Sequence, residues 1–258
     1  MQINNLIDFL NNLQVSFWGI SKHENGNYLK SMPCLITLGV RLSDAIIDEI
    51  DNQPTFTYFN HYRSVNSYLD HVALKTAMIL QDSGFKAYTI AASQSIPDPK
   101  IKYSGVFPHK TGAVLSGMGW IGMNGLFIHK DYGPRVRLVT ILTDMEIMDL
   151  PINNSQKSIG NNLSLRKKSE SVLNNRIYDN LIENLNSEKA KINCVNCNKC
   201  VKACPAMAIK GVEWYPGISR DEIIDAKACS EYMNQKFKHI GRGSVCGICI
   251  KVCNNHGM

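Results

Sequence analysis

Of the chain's nine cysteines, eight fall in its last quarter. The first group reads CVNCNKCVKACP from Cys194 to Pro205, a C-x2-C-x2-C-x3-C-P run. It is answered by Cys229 and by CGICIKVC from Cys246 to Cys253. Three thiolates spaced by two residues can wrap one cubane iron–sulfur cluster, because the tight loop between them aims backbone N–H groups at the sulfides. Pro205 fixes φ and turns the chain away. Zinc knuckles use paired C-x2-C, and the triple run is not a usual zinc spacing. Structural disulfides belong to secreted chains, and no secretion signal is visible.

Each [4Fe–4S] cluster takes four thiolates, so eight cysteines serve two clusters. In two-cluster ferredoxins the fourth cysteine of a run serves the other cluster. By that rule Cys194, Cys197, Cys200 and Cys253 form one set, and Cys204, Cys229, Cys246 and Cys249 the other. The second half is irregular: sixteen residues separate Cys229 from Cys246, and Asn254 stands where a proline is common. Cys34, on an apolar run, reads as core.

The formal charge of +6 counts every cysteine as neutral. Two oxidised clusters with their thiolates would each contribute about −2, which leaves about +2. The basic balance therefore gives no argument for nucleic acid. No apolar run is long enough to span a membrane. The N-terminal MQINNLIDFLNNLQ lacks a basic n-region, so the expectation is a cytoplasmic protein with no membrane partner.

Elements that could position these residues precede them. Residues 1–13 form an amphipathic helix with Ile3, Leu6, Ile7 and Leu10 on one face. Residues 15–22 and 33–43 read as strands, the second a central one buried on both sides. Ser43 can cap a helix over 44–50. Residues 54–63 read as a loop, and 62–81 as the clearest helix, with Val65, Leu69, Val72, Thr76 and Ile79 inward and Gly84 ending it. A strand over 86–92 leads into a loop over 92–99, a common place for ligand-binding groups. A short helix fills 109–119. Residues 125–144 read as a β-hairpin with its turn at DYGP. Polar composition from 146 to 193 marks an insertion or linker, with a helix over 175–190.

GMGWIGMNG (117–125), then YGPRVRLVTILTD (132–144), then the double cysteine module resembles the superfamily of cobalamin-dependent epoxyqueuosine reductases and reductive dehalogenases. The resemblance covers roughly residues 85–258. HYR at 61–63, ASQ at 92–94 and HK at 109–110 look like a shorter subgroup. It implies an α/β (α+β) fold: a nitroreductase-like domain over 1–145, shared with cobalamin-processing proteins, then the insertion over 146–193 and a ferredoxin-like double [4Fe-4S] module over 194–258. It further implies a base-off corrinoid beside the nearer cluster, fed with single electrons from a low-potential donor such as ferredoxin or flavodoxin.

On that resemblance, Gly117, Gly119 and Gly122 would let backbone approach a flat macrocycle, and Trp120 would pack on its face. Ser93, Gln94, Asn124 and Arg135 would bind its peripheral amides or phosphate. A plain helix-to-strand turn with Trp120 in the core explains the same glycines. The epoxyqueuosine reductases carry an acidic proton donor about fourteen residues before the glycine-rich segment. Tyr103 stands there in this chain, and reductive dehalogenases use a tyrosine. His109 and Lys110 are rival proton donors or substrate anchors. The chain stops five residues after Cys253, where tRNA-acting members continue into helical repeats, so tRNA is not the expected substrate. Three functions remain open: a corrinoid-dependent reductase of a small substrate, an electron-transfer or reductive-activator protein for a corrinoid partner, and a flavin-binding variant.

Overall fold

The computed structural model describes residues 4–22, 31–94, 96, 103–146, 194, 196–242 and 245–254. The polar insertion and its expected helix over 175–190 lie outside them.

A four-stranded sheet is built from β1 (Phe17–Lys22), β2 (Cys34–Arg41), β3 (Ala87–Ile90) and β6 (Val136–Thr143), in the order β1-β2-β6-β3. All neighbours are antiparallel, with Leu38 opposite Val139 at its centre. The apolar runs of β2 and β6 follow from burial of both sheet faces. Ile36, Leu38, Val139 and Ile141 face α1 (Asn4–Asn12) and α3 (Phe56–Asp82), meeting Leu6, Leu10, Leu69 and Val72. The alternate face carries Val136 and Leu138, which pack with Ala113, Val114 and Met118 from the region of α4 (His109–Leu115). α4 comes so close to the sheet that a Cβ at Gly112 would collide with the Thr37 hydroxyl. Cys34 is buried in the core, as expected.

Two local expectations are corrected. Residues 54–63 are not a loop: α3 begins at Phe56, where the Thr55 side chain accepts from the Tyr58 N–H at 3.0 Å and caps the first turn. The hairpin over 125–144 does not form either. β5 (Phe127–His129) pairs with β4 (Gly119–Ile121), inside the glycine-rich segment, while β6 enters the main sheet between β2 and β3. A single bridge, His129 to Gly133, is what remains of the expected turn. The physical reason is burial: β6 has too much apolar surface for an isolated hairpin arm, and the main sheet covers both its faces.

The cysteine-rich segment adds α2's neighbour and four more short helices. α2 is Asp44–Asp48; the others are α5 (Lys199–Ala203), α6 (Arg220–Ile223), α7 (Ala226–Lys236), α8 (Lys238–Gly241) and α9 (Ile248–Lys251). α9 packs on α5 and on α2. Val245 and Ile248 belong to the same apolar cluster as the sheet and α3, with Ala203, Ile250 and Val252 packed against it. The cysteine-rich segment and the sheet thus share one core.

Candidate functional site

Backbone geometry sets the cysteines first. The Cys197 N–H donates to the Cys194 carbonyl at 2.9 Å, with Asn196 at φ 61° making the tight loop between them. α5 then carries Cys200, α7 carries Cys229 and α9 carries Cys249. The Ala208 N–H donates to Cys204 Sγ at 3.4 Å, just beyond Pro205. These local turns bring distant cysteines together.

Cys194, Cys197, Cys200 and Cys253 surround one cavity, the first set that the spacing predicts. Met123, Asn124 and Ile128, from the β4–β5 turn, and Lys199 complete its wall. The second set lies close together: Cys246 and Cys229 act on the Cys249 thiol, as do Cys200 of the first set and Cys204. The two sets are therefore neighbours. The thiols ring a space and do not converge on a point, and among the described residues no three Cys, His, Asp or Glu side chains are grouped to hold a single metal ion. Burial raises the thiols of Cys194, Cys200, Cys246 and Cys249, and pushes Cys229 up to about 11, with like charges of neighbouring cysteines adding to it. Coordination reverses that preference, since a metal deprotonates its thiol outright. Four sulfurs around one space, with backbone N–H groups at Cys194 and Cys200, fit a [4Fe–4S] cluster.

The residues expected to hold a corrinoid fare differently. Arg135 is buried and committed to two carboxylates, Asp44 at 2.9 Å and Asp48 at 2.8 Å; its Nε has no partner. Ser93 bonds the Tyr62 hydroxyl at 3.1 Å, and Gln94 accepts from the Val106 N–H at 3.3 Å. Asn124 is buried, accepts from the Leu126 N–H at 3.0 Å and lines the cysteine cavity. Gly117 turns the chain out of α4 at φ 68°. A Cβ at Gly119 would strike the Ile128 carbonyl, and one at Gly122 would press the Ile128 side chain, so both let β4 close on β5. Trp120 sits in β4 opposite Ile128, with its Nε1 buried. The structure spreads these residues over several places: Asn124 lines the cysteine cavity, Ser93 and Gln94 lie beside Tyr62 and Val106, and Arg135 lies against α2.

The three proton-donor candidates separate into two places. His109 is held neutral, with Nδ1 against the Thr140 hydroxyl at 3.1 Å and Nε2 against the Ala91 carbonyl at 2.9 Å; burial takes its pKa down to about 4. Both ring nitrogens are thus spent inside the fold. Lys110 donates to the Gly125 carbonyl at 2.6 Å. Burial, and then the Arg220 charge, lower its pKa to about 8. Arg220, at the start of α6, also donates to the Tyr103 carbonyl at 2.6 Å. Lys110 and the Tyr103 backbone therefore meet at the seam with the cysteine-rich segment. The Tyr103 ring itself is exposed.

A further cluster escaped the sequence reading. Arg137 donates to Asn66 Oδ1 at 2.9 Å, to the Tyr62 hydroxyl at 3.2 Å and to the Ala92 carbonyl at 3.1 Å. Burial works against ionisation of Tyr62, but the Arg137 charge and the bonds to Ser93 and Asn66 bring its phenol below the usual value. Asp70 accepts from the Ala92 N–H at 2.7 Å. Tyr62, Asn66 and Asp70 are spaced by four residues on α3, a polar edge that helical periodicity makes visible.

Residues 193–256 match the family described as a 4Fe-4S double cluster binding domain. The chain is 26% identical over 199 residues to a tetrachloroethene reductive dehalogenase of Desulfitobacterium hafniense, a match over 73% of this chain and 27% of that protein. It is 26% identical over 151 residues to an epoxyqueuosine reductase of Synechocystis sp., over 57% of this chain and 36% of the relative. The chain thus spans well under half of each curated relative. A catabolic reductive dehalogenase structure aligns with TM-score 0.61 at 15% identity, over 95% of this chain and 30% of that one. The epoxyqueuosine reductase of Streptococcus thermophilus aligns with TM-score 0.52 at 16% identity, over 97% and 65%. Among the described residues no helix is long and apolar enough to cross a membrane. A double-cluster cysteine module and a mixed helix–strand fold make this chain similar, in sequence and in structure, to reductive dehalogenases and epoxyqueuosine reductases.

Proposed function

We propose that this chain is an iron–sulfur oxidoreductase that takes single electrons from a low-potential donor such as a ferredoxin or flavodoxin. Two [4Fe–4S] clusters pass them to an acceptor held against the first 145 residues. The observation that carries the reading is the shared cavity: four cysteines on one side, and Met123, Asn124 and Ile128 of the glycine-rich segment on the other. A cluster there has the sheet domain as its immediate neighbour, and Cys200 and Cys249 bring the second set beside it. A bound cluster supplies one-electron storage at low potential. The protein's own part is to exclude water, orient the acceptor and supply protons. Lys110, with its ammonium buried and its pKa lowered to about 8, is proposed to hold the transferable proton.

The nitroreductase-like character of residues 1–145, and the boundaries at 146 and 194, belong to the same proposal. So does the acceptor. A reductive dehalogenase of B12-dependent dehalogenation aligns at TM-score 0.57, and that likeness makes a corrinoid the first acceptor to test. A small molecule is the proposed substrate.

Anaerobic reconstitution is expected to give about eight iron and eight sulfide per chain. Zinc as the sole bound metal would overturn the cluster assignment. Cob(II)alamin and flavin are then titrated separately. A shift of the corrinoid bands to the base-off form supports the corrinoid reading. Flavin binding without corrinoid binding transfers the acceptor role to flavin. Cluster uptake with neither ligand bound leaves an electron carrier for a partner protein.

A further inference from the structure

Trp120 Nε1 is a buried donor with no hydrogen-bond partner in the protein as it stands. A buried polar hydrogen left unmatched is costly, so an orphan of this kind calls for an acceptor. The indole belongs to β4, whose strand partner Ile128 lines the cysteine cavity together with Met123 and Asn124. Burial raises the Cys194 thiol, against which the Met123 backbone N–H and the indole N–H both favour its ionised form. The indole N–H stops short of a full hydrogen bond, as befits a neutral thiol, a weak acceptor. A cluster-bound thiolate carries the negative charge that a thiol lacks, and accepts far better.

We propose that Trp120 donates its indole N–H to the Cys194 thiolate and thereby raises the reduction potential of the cluster held by Cys194, Cys197, Cys200 and Cys253. This inference rests on the cluster assignment above and gives Trp120 a positioning and tuning role, not one in stacking on an acceptor. The sign follows from charge. One-electron reduction makes the cluster more negative, a donor to sulfur favours the more negative state, and the potential rises. Trp120 acts on Cys194 of the first set, so the shift is expected at that centre.

The test is a redox titration of the reconstituted full chain, followed by electron paramagnetic resonance, for wild type and Trp120→Phe. A shift of one cluster to lower potential with the other unmoved is the expected result. Deuterium exchange should show an exchangeable hydrogen coupled to that cluster in wild type and missing from the variant. Replacing Trp120 by benzothienylalanine keeps the bicyclic shape and removes only the donor, so it guards against misfolding of the phenylalanine variant; the same shift is expected. Equal potentials in wild type and the benzothienylalanine protein would overturn the proposal while leaving the two-cluster reading intact. A wild-type chain that takes up no cluster would overturn both.

Discussion

Cys253 is the residue on which the wiring turns. If the sets cross, Cys194 and Cys253 serve one cluster and Cys204 the other. The double variant Cys194→Ser with Cys253→Ser is then expected to keep about four iron per chain, and Cys194→Ser with Cys204→Ser almost none. Iron analysis with the opposite outcome would mean that each cysteine run wraps its own cluster. Buried bases offer a second prediction at this scale. His129 is buried among Phe17, Phe127 and Tyr132, and burial lowers its pKa from 6.5 to about 4; His109 shifts to the same value. Between pH 6.5 and 4 the unfolded chain holds protons that the folded chain refuses. Stability is therefore full above pH 6.5 and falls as the pH drops toward 4, by about 3 kcal/mol for the His129 ring alone. Lys110 gives the same sign in another window: stability rises as pH climbs from about 8 toward 10.5. Denaturant unfolding across pH should show both slopes, and Lys110→Met should remove the upper one only.

Elements place the glycine-rich segment over the cysteines. β4 and β5 can lie this close because residue 119 has no side chain to meet the Ile128 carbonyl. Gly119→Ala is expected to cost about 1–3 kcal/mol of stability by overpacking, and to lower the iron content of the first set more than that of the second. Unchanged thermal unfolding and full iron would refute that role. By contrast Thr55→Ala removes the cap of α3 and should cost about 1 kcal/mol without touching iron. The same elements show what the sequence made legible. Cysteine spacing is local, and the loops and helices that carry the two sets follow from it directly. The roof over Cys194 comes from a turn about seventy residues earlier, so no spacing rule could reveal it. The misread hairpin has a related cause. β6 carries a turn signal just before it, yet it pairs with a strand about a hundred residues upstream because that sheet buries both its faces. The helix expected over 62–81 starts six residues late, because Pro54 and Thr55, which lead into the helix, look locally like a loop. The polar edge of Tyr62, Asn66 and Asp70 follows helical spacing, but its meaning depends on Arg137 arriving from β6.

Across the whole molecule, Asp48 ties the sheet to the cysteine-rich segment. Its carboxylate takes a bond from Arg135 at 2.8 Å, and its backbone carbonyl takes one from Lys251 at 2.6 Å, on the helix between Cys249 and Cys253. The Arg135 bond foremost holds the Asp48 carboxyl below its usual range. Asp48→Asn leaves the buried guanidinium short of a charged partner, and is expected to lower thermal stability and slow cluster uptake together. If uptake is normal in a destabilised variant, the tie is structural alone. The shared core extends the same point further than any single bond. Val245 and Ile248 flank and follow Cys246 and are packed among the residues of α3 and the sheet. Loss of the iron is expected to loosen those two side chains and leave the main core incomplete at one corner. Metal loading and folding are then one equilibrium: chelation should open the protein to proteases well beyond the cysteine-rich segment, and iron scarcity should register as a shortage of folded protein, with no reservoir of intact, idle chains waiting to be filled.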